Sequence, residues 1–150
     1  EEQGVMIVYA SMYGNTEAAA QNLAAKLCEK GMTNVVLYDV SNTHVSQLIS
    51  ETFRLSHIVL ASVTYNLGIY PLMHNYLMDM KALNLQKRTF AIIENGSWAC
   101  KSGSLMREFI DDMREMDILD EQVTLMSSMT EDNGSDMDTL ADGLIESMKQ

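Results

Sequence analysis

Short apolar runs alternate along the chain with segments in which apolar residues recur every three to four positions. The apolar runs predict five strands, at 5–10, 34–40, 57–62, 89–95 and 122–127. The periodic segments predict five helices, at 16–30, 45–55, 72–83, 103–116 and 135–149. Gly31 suits the end of the first helix, and Pro71 suits the first turn of the third.

This strict alternation predicts an α/β fold. Strands that are apolar on both faces and joined by helices form parallel sheets with right-handed crossovers. Two arrangements fit the pattern: the strand order 2-1-3-4-5, and a six-stranded dinucleotide fold that lacks one element. In both, ligands bind at the carboxyl ends of the strands, near the reversal of strand order. For the first arrangement, that reversal lies between the first and third strands.

Composition narrows the class of protein. A chain of 150 residues fits one domain with a sizeable core. The net charge of −11 argues against nucleic-acid binding, and the longest apolar runs are too short to cross a membrane. Cys28 and Cys100 lack metal-ligand spacing and favour a reduced, intracellular setting, with Cys28 expected in the core. The start at Glu1, without Met, favours a fragment of a longer protein.

The loop after the first predicted strand is rich in hydrogen-bond donors. It reads Ser11-Met12-Tyr13-Gly14-Asn15-Thr16 and contains no cation. The helix that follows offers unpaired N–H groups and the positive end of its dipole, which together attract an anion. We therefore weigh two interpretations of this loop: a phosphate site and an ordinary helix cap.

Two further loops predicted at the same edge carry large aromatic residues. One is 62–71, with Tyr65 and Tyr70, and the other is 95–103, with Trp98. Aromatic side chains at a ligand-binding edge favour stacking against a planar ring. A phosphate at one end and a flat ring at the other describe a mononucleotide, specifically a flavin.

Other sites with related patterns do not fit. The stretch 96–103 lacks P-loop spacing, and no G-x-G-x-x-G follows a strand. A phospho-acceptor site needs acidic residues where Ser11 and Ser62 stand. The three His residues form no cluster, and the acidic pairs at 111–112 and 136–138 fit solvated helix faces.

The three loops resemble those of a known family. Residues 11–16 look like the phosphate loop of flavodoxins. Val63-Thr64-Tyr65-Asn66 with Gly68 and Pro71, and Glu94-Asn95-Gly96-Ser97-Trp98, resemble the flavodoxin-like domain of A-type flavoproteins, the flavodiiron proteins. One departure is Val63, where that family usually has proline, which would make the loop before Thr64 less rigid.

The resemblance implies a flavodoxin-like three-layer sandwich that binds FMN and transfers electrons in the cytoplasm. It also implies an upstream metallo-β-lactamase-like domain, absent from these residues, whose di-iron site reduces oxygen or nitric oxide. Rubredoxin or a similar donor would supply the electrons, and a homodimer would bring each flavin near the partner's irons. This chain would then be a single electron-carrier domain without a catalytic residue or metal ligand of its own.

The resemblance assigns cofactor-binding residues to all three loops. Those that would hold the phosphate are Ser11, Met12, Tyr13, Gly14, Asn15 and Thr16. Those that would line the ring on its two sides are Thr64, Tyr65, Asn66 and Gly68, and Asn95, Gly96, Ser97 and Trp98.

Three alternative functions remain open from the sequence. One is a free-standing flavodoxin that serves soluble partners. Another is an NAD(P)H-dependent quinone or FMN reductase. The third is a non-redox binding domain on the same fold.

Overall fold

The structure of the chain is a computed structural model. It describes residues 2–10, 15–65, 68–69, 71–96, 102–113, 115–119, 122–126 and 131–149. At 15, 63–65, 68–69, 96, 102, 126 and 131–133 it describes the backbone alone. The elements follow in the order β1 (Glu2–Ala10), α1 (Asn15–Glu29), β2 (Val35–Asp39), α2 (Val45–Arg54), β3 (Leu55–Tyr65), β4 (Gly68–Ile69), α3 (Pro71–Ala82), β5 (Thr89–Gly96), α4 (Ser102–Asp111), β6 (Asp117–Ile118), β7 (Val123–Met126) and α5 (Glu131–Met148).

The main strands form one parallel sheet in the order β2-β1-β3-β5. Both β6 and β7 lie beside β5, where they form the two parts of one interrupted edge strand. Counted this way, the strand order is 2-1-3-4-5, which confirms the predicted fold. The alternative dinucleotide arrangement is therefore excluded.

Helices cover both faces of the sheet, so the molecule has three layers. Consecutive residues of a strand point to opposite faces, and β1 shows this alternation clearly. Its Val5 and Ile7 join a buried cluster with α1 and α5, while Met6 and Val8 join a second cluster with α2, α3 and α4. The central strands β1, β3 and β5 are buried on both sides over most of their described length, which explains why their sequences are apolar almost without interruption.

The first and last helices lie side by side on one face of the sheet. Met137 and Leu140 of α5 are fully buried in the same cluster as Leu23 of α1. Ion pairs bridge the exposed side of this contact, and the two shortest described are Lys26 to Asp138 at 3.1 Å and Lys30 to Asp142 at 2.9 Å. Exposed pairs of this kind contribute little, so apolar burial supplies most of the contact energy.

Cys28 does not lie in the core as expected. It is exposed on α1, whereas Leu27 beside it is fully buried. Adjacent helical residues are separated by about 100° around the axis. The apolar stripe therefore passes through Leu27 and leaves Cys28 facing solvent.

The third strand is longer than its apolar run predicts. Instead of ending at 62, β3 continues to Tyr65 and pairs with the antiparallel β4. Val63 is therefore a strand residue that pairs with Asn95, not part of a loosened loop as its departure from proline predicts. The β-branched and aromatic residues at 63–65 have high strand propensity, which explains the extension.

The chain after β5 also departs from the predicted boundaries. The fourth helix ends at Asp111, five residues earlier than expected, and the two-residue β6 follows. Glu115 has a positive φ of 56°, which is incompatible with a continuing helix. The last helix begins at 131 rather than 135.

Polar residues at the amino ends of the strands bond to one another. Buried His57 contacts the hydroxyl oxygens of Ser56 at 2.7 Å and Ser147 at 3.0 Å. Ser56 also accepts a hydrogen bond from the Gly4 amide at 3.3 Å. These contacts tie β1, β3 and the end of α5 together.

Candidate functional site

The carboxyl ends of β1, β3 and β5 meet at one edge of the sheet. The register pairs Ala10 with Ser62 and Val63 with Asn95. The helix α1 begins five residues after Ala10, at Asn15. The three predicted ligand loops therefore start from neighbouring positions, on both sides of the reversal in strand order between β1 and β3.

The structure describes the predicted site residues to different extents. Thr16 and Asn95 are described with their side chains. For a second group only the backbone is described: Asn15, Thr64, Tyr65, Gly68 and Gly96. A third group lies outside the described residues: Ser11, Met12, Tyr13, Gly14, Asn66, Ser97 and Trp98, together with Cys100.

A buried hydrogen bond joins the two side chains that are described. Asn95 Nδ2 donates to Thr16 Oγ1 at 3.2 Å, although the residues are 79 positions apart. Thr16 is 1% exposed and Asn95 is 4% exposed. The contact connects the end of β5 to the first turn of α1, so it brings the predicted phosphate loop and one predicted ring loop together.

The chemistry of this pair fits an anion. A hydroxyl group that accepts a hydrogen bond still has its own proton to donate, and Thr16 lies at the beginning of a 15-residue helix. The first N–H groups of a helix have no intrahelical partners, and the helix dipole adds positive potential. This donor set is uncharged, so an anion bound here would be held by hydrogen bonds and the dipole.

A carboxylate also lies close to the beginning of α1. Tyr9, at the end of β1, donates its hydroxyl proton to Glu17 at 2.9 Å. Burial, followed by this hydrogen bond, raises the pKa of Tyr9 to about 12. One oxygen of Glu17 is thus engaged by Tyr9, and the carboxylate adds negative charge where the helix dipole favours it.

Glu94 lies at the same edge of the sheet as the predicted site. From the sequence it was named only within the motif that resembles the flavodiiron proteins, without a role of its own. It is 8% exposed and accepts hydrogen bonds from the Gly103 amide, Gln122 and Thr124. In the sequence, Glu94 is an acidic residue at the end of an apolar run. That position indicates a buried charge, which needs hydrogen-bond partners. Those partners lie 9 to 30 positions further along the chain.

The residues set aside on sequence grounds make other contacts or are exposed. His44 caps α2 by accepting from the Ser46 amide, and His74 packs edge-on against Phe109. Asp111 and Asp112 are exposed. Across the described ranges, no group of three or more His, Cys, Asp or Glu residues could hold a metal ion.

A concavity lies between the beginnings of α2 and α3. It has a volume of about 600 Å³. Its described lining includes Val45, Leu72 and Asp79, and neither Thr16 nor Asn95 belongs to it.

Comparison with known proteins identifies the family. The flavodoxin family model matches residues 7–117, so the chain belongs to the flavodoxin family. Membership of this family implies a flavin cofactor, typically FMN. None of the helices in the described part of the chain has the length and hydropathy of a membrane-spanning segment.

Two curated relatives are similar in sequence. The rubredoxin-oxygen oxidoreductase of Megalodesulfovibrio gigas is 30% identical over 109 residues, which are 73% of this chain and 27% of that protein. An uncharacterized protein of Methanocaldococcus jannaschii is 30% identical over 105 residues, or 69% of this chain and 26% of that protein. The chain thus spans about a quarter of the length of these relatives.

Solved structures give the same architecture. The rubredoxin oxygen:oxidoreductase of Desulfovibrio gigas superposes with a TM-score of 0.90 and 27% identity, over 97% of this chain and 36% of that one. A flavodoxin from the Archaea superposes with a TM-score of 0.86 over 99% of this chain and 100% of that one. The flavodiiron protein of Giardia intestinalis gives a TM-score of 0.84 over 95% of this chain and 36% of that one. The last two, each at 19% identity, support the fold alone.

Proposed function

We propose that this chain binds FMN at the carboxyl edge of the sheet and acts as the electron-transfer module of a flavodiiron-type oxidoreductase. The observation that carries the proposal is the buried hydrogen bond from Asn95 to Thr16, which joins two loops of the expected flavin site. The 27% identity and TM-score of 0.90 to rubredoxin oxygen:oxidoreductase support the choice of parent protein.

In this proposal the beginning of α1 holds the phosphate of FMN. The residues proposed for it are Ser11, Met12, Tyr13, Gly14, Asn15 and Thr16. Those proposed to line the ring are Thr64, Tyr65, Asn66, Gly68, Asn95, Gly96, Ser97 and Trp98. The bound flavin would supply the redox chemistry, while these residues bind it, orient it and limit its contact with water.

The wider assignments belong to the same proposal. Because the chain spans about a quarter of its curated relatives, we propose that it works beside a di-iron domain of the same or a partner chain. The proposed electron donor is rubredoxin or a similar protein, as the name of the relative states for that protein. A reducing cytoplasm would keep the exposed thiol of Cys28 reduced.

The first experiment measures FMN binding. The purified chain is incubated with excess FMN, desalted and examined for retained flavin absorption. Thr16→Val is expected to weaken binding at least about tenfold, because it removes a donor to a charged group. Thr52→Val is the matched control, since Thr52 is also buried and hydrogen-bonded, to Leu48 and Tyr76. It should lower stability and leave FMN affinity unchanged.

The outcome separates the proposal from a non-redox domain. Retained flavin that Thr16→Val releases supports an FMN module. A folded sample that retains no flavin would contradict the proposal and leave a binding domain without a redox role.

A second candidate is a free-standing flavodoxin. It is favoured by the flavodoxin family model, which matches residues 7–117 of this chain. Anaerobic mixing of the FMN-loaded chain with reduced rubredoxin distinguishes the two roles. Rapid bleaching of the flavin supports the flavodiiron module. Bleaching by NADH or NADPH alone would instead indicate a reductase.

A further inference from the structure

Glu94 is a carboxylate buried at the edge of the sheet that carries the proposed flavin site. It accepts from the Gly103 amide at 2.8 Å, from Gln122 at 3.1 Å and from Thr124 at 2.9 Å. A buried carboxylate without such bonds would be strongly unfavourable. The described donors to Glu94 are a backbone amide, a side-chain amide and a hydroxyl group, all uncharged. Among the described contacts, the carboxylate is therefore stabilised by hydrogen bonds.

The donors belong to two elements that flank β5. Gly103 lies in the first turn of α4, and Thr124 lies in β7. Gln122, just before β7, also accepts from Arg107 of α4 at 2.8 Å. The single carboxylate therefore joins the end of β5 to both neighbours at once.

Gly103 is required for this close approach. A Cβ atom added there would lie 2.8 Å from Cδ of Glu94 and 2.9 Å from Nε2 of Gln122. Both distances are shorter than real Cβ contacts, and the carboxylate could move away only by giving up its hydrogen bonds. Gly103 and Glu94 thus form a close contact between α4 and β5 that depends on the absence of a Cβ atom at 103.

The position of Glu94 in β5 is also informative. Phe90 and Ile92, on the same face of the strand, are fully buried apolar residues. An apolar residue at 94 would continue their pattern, but it would leave the Gly103 amide without this acceptor. Glutamate at this position therefore stabilises the beginning of α4 instead of extending the apolar core.

The next residue of the strand contacts the opposite layer. Asn95 points away from Glu94 because consecutive strand residues alternate, and it donates to Thr16 of α1. The end of β5 is thus anchored to α4 on one side and α1 on the other. A shift of this strand end would move Asn95 relative to Thr16.

We infer that Glu94 is a positioning residue for the proposed flavin site. By fixing the end of β5 against α4 and β7, it holds Asn95 where it meets Thr16. The inference rests on the proposed function, and it assigns Glu94 no contact with the cofactor.

The test measures the dissociation constant of FMN for folded variants, checked by circular dichroism. Glu94→Ala and Gly103→Ala should each weaken FMN binding at least about tenfold, the effect of losing one charged hydrogen bond. Glu94→Gln keeps an acceptor for the Gly103 amide and should weaken binding less than about threefold. Glu94→Asp replaces the alanine variant if the latter does not fold.

Glu51→Ala is the matched control. Glu51 also accepts three described hydrogen bonds, from Tyr38 and twice from Arg54, but it lies on α2 away from the site. Its replacement should lower the unfolding midpoint and leave FMN affinity unchanged. Equal weakening by Glu51→Ala, or unchanged binding by Glu94→Ala, would overturn the inference.

Amide hydrogen exchange of the FMN-free chain keeps this test independent of the proposed function. Glu94→Ala should speed exchange at the Gly103 amide and around Thr16, and Glu94→Gln should largely preserve protection. If the wild-type chain binds no FMN, the proposed function fails, yet this exchange pattern still tests the coupling. Unchanged exchange near Thr16 in Glu94→Ala would contradict it.

Discussion

The two ends of the sheet bury polar residues in different ways. At the amino edge, His57 bonds to both Ser56 and Ser147. On the same edge, Arg88 donates to the carbonyl oxygens of Thr52 and Phe53 at the end of α2. At the carboxyl edge, Asn95 and Glu94 instead reach the first turns of α1 and α4.

The direction of the helices explains this difference. In a parallel sheet joined by helices, every helix begins at the carboxyl edge and ends at the amino edge. The amino edge therefore collects carbonyl groups, which the chain satisfies with its own donors, such as Arg88. The carboxyl edge collects N–H groups, which attract an anion from outside. One edge thus serves stability, and the other is suited to binding.

The largest expected effect comes from adding a charge at the carboxyl edge. Asn95→Asp removes the donor to Thr16 and introduces a buried negative charge next to the proposed phosphate site. We expect FMN affinity to fall about 100-fold, or roughly 2.7 kcal/mol. Isothermal titration calorimetry on the folded variant measures this. Unchanged affinity would contradict the conclusion that the carboxyl edge binds the ligand while the amino edge serves stability.

The converse change at the amino edge should affect stability alone. His57→Ala leaves the hydroxyls of Ser56 and Ser147 without this partner. We expect the free energy of unfolding to fall by about 1–3 kcal/mol. Urea denaturation provides the measurement. FMN affinity should remain that of the wild type, and a parallel loss of binding would show that the edges are coupled.

Removal of the cation that caps α2 should have a smaller effect. Arg88→Met loses the hydrogen bonds to the Thr52 and Phe53 carbonyls, at 3.3 and 2.7 Å. The expected loss of unfolding free energy is about 1–2 kcal/mol. Lys87→Met is the control, because its ion pair with Glu115 is long, at 3.8 Å, and exposed. The control should change stability by less than about 0.5 kcal/mol.

The smallest effect concerns Tyr9 at high pH. Its pKa is raised from 10.0 to about 12, so the folded state favours the neutral phenol more than the unfolded state does. The resulting stability is complete below pH 10 and is lost as the pH rises through about 12. Urea titrations across this range should show a shallower decline for Tyr9→Phe. An identical slope in both proteins would contradict the assignment.

The sequence predicted the fold well because of how the strands are buried. Strands covered on both faces must be apolar almost throughout, and such runs are visible without knowledge of their partners. Strands of only two residues, such as β6, are too short to show a hydrophobic pattern and were not predicted. The antiparallel extension at 63–65 was also missed, because these three residues follow the apolar run and their partner β4 has only two residues.

Only the location of the candidate site was predictable. The order of strands placed Thr16 and Asn95 at one edge, but no local pattern states that they touch across 79 positions. The role of Glu94 depends on Gly103 and Thr124, which are remote in sequence. Whether Cys28 is buried or exposed depends on the rotation of α1 about its own axis. A change in the apolar stripe by one residue would bury Cys28 instead of exposing it.

The contact between α1 and α5 has a consequence for biosynthesis. Within this domain β1 is synthesised well before α5, yet Met137 and Leu140 of α5 share a buried cluster with Val5 and Ile7 of β1. A nascent chain that has not yet reached 131–148 has only α1 to cover this face of β1. Packing of this layer is therefore completed only after α5 is made, and a premature stop before it exposes an apolar surface that chaperones and proteases recognise.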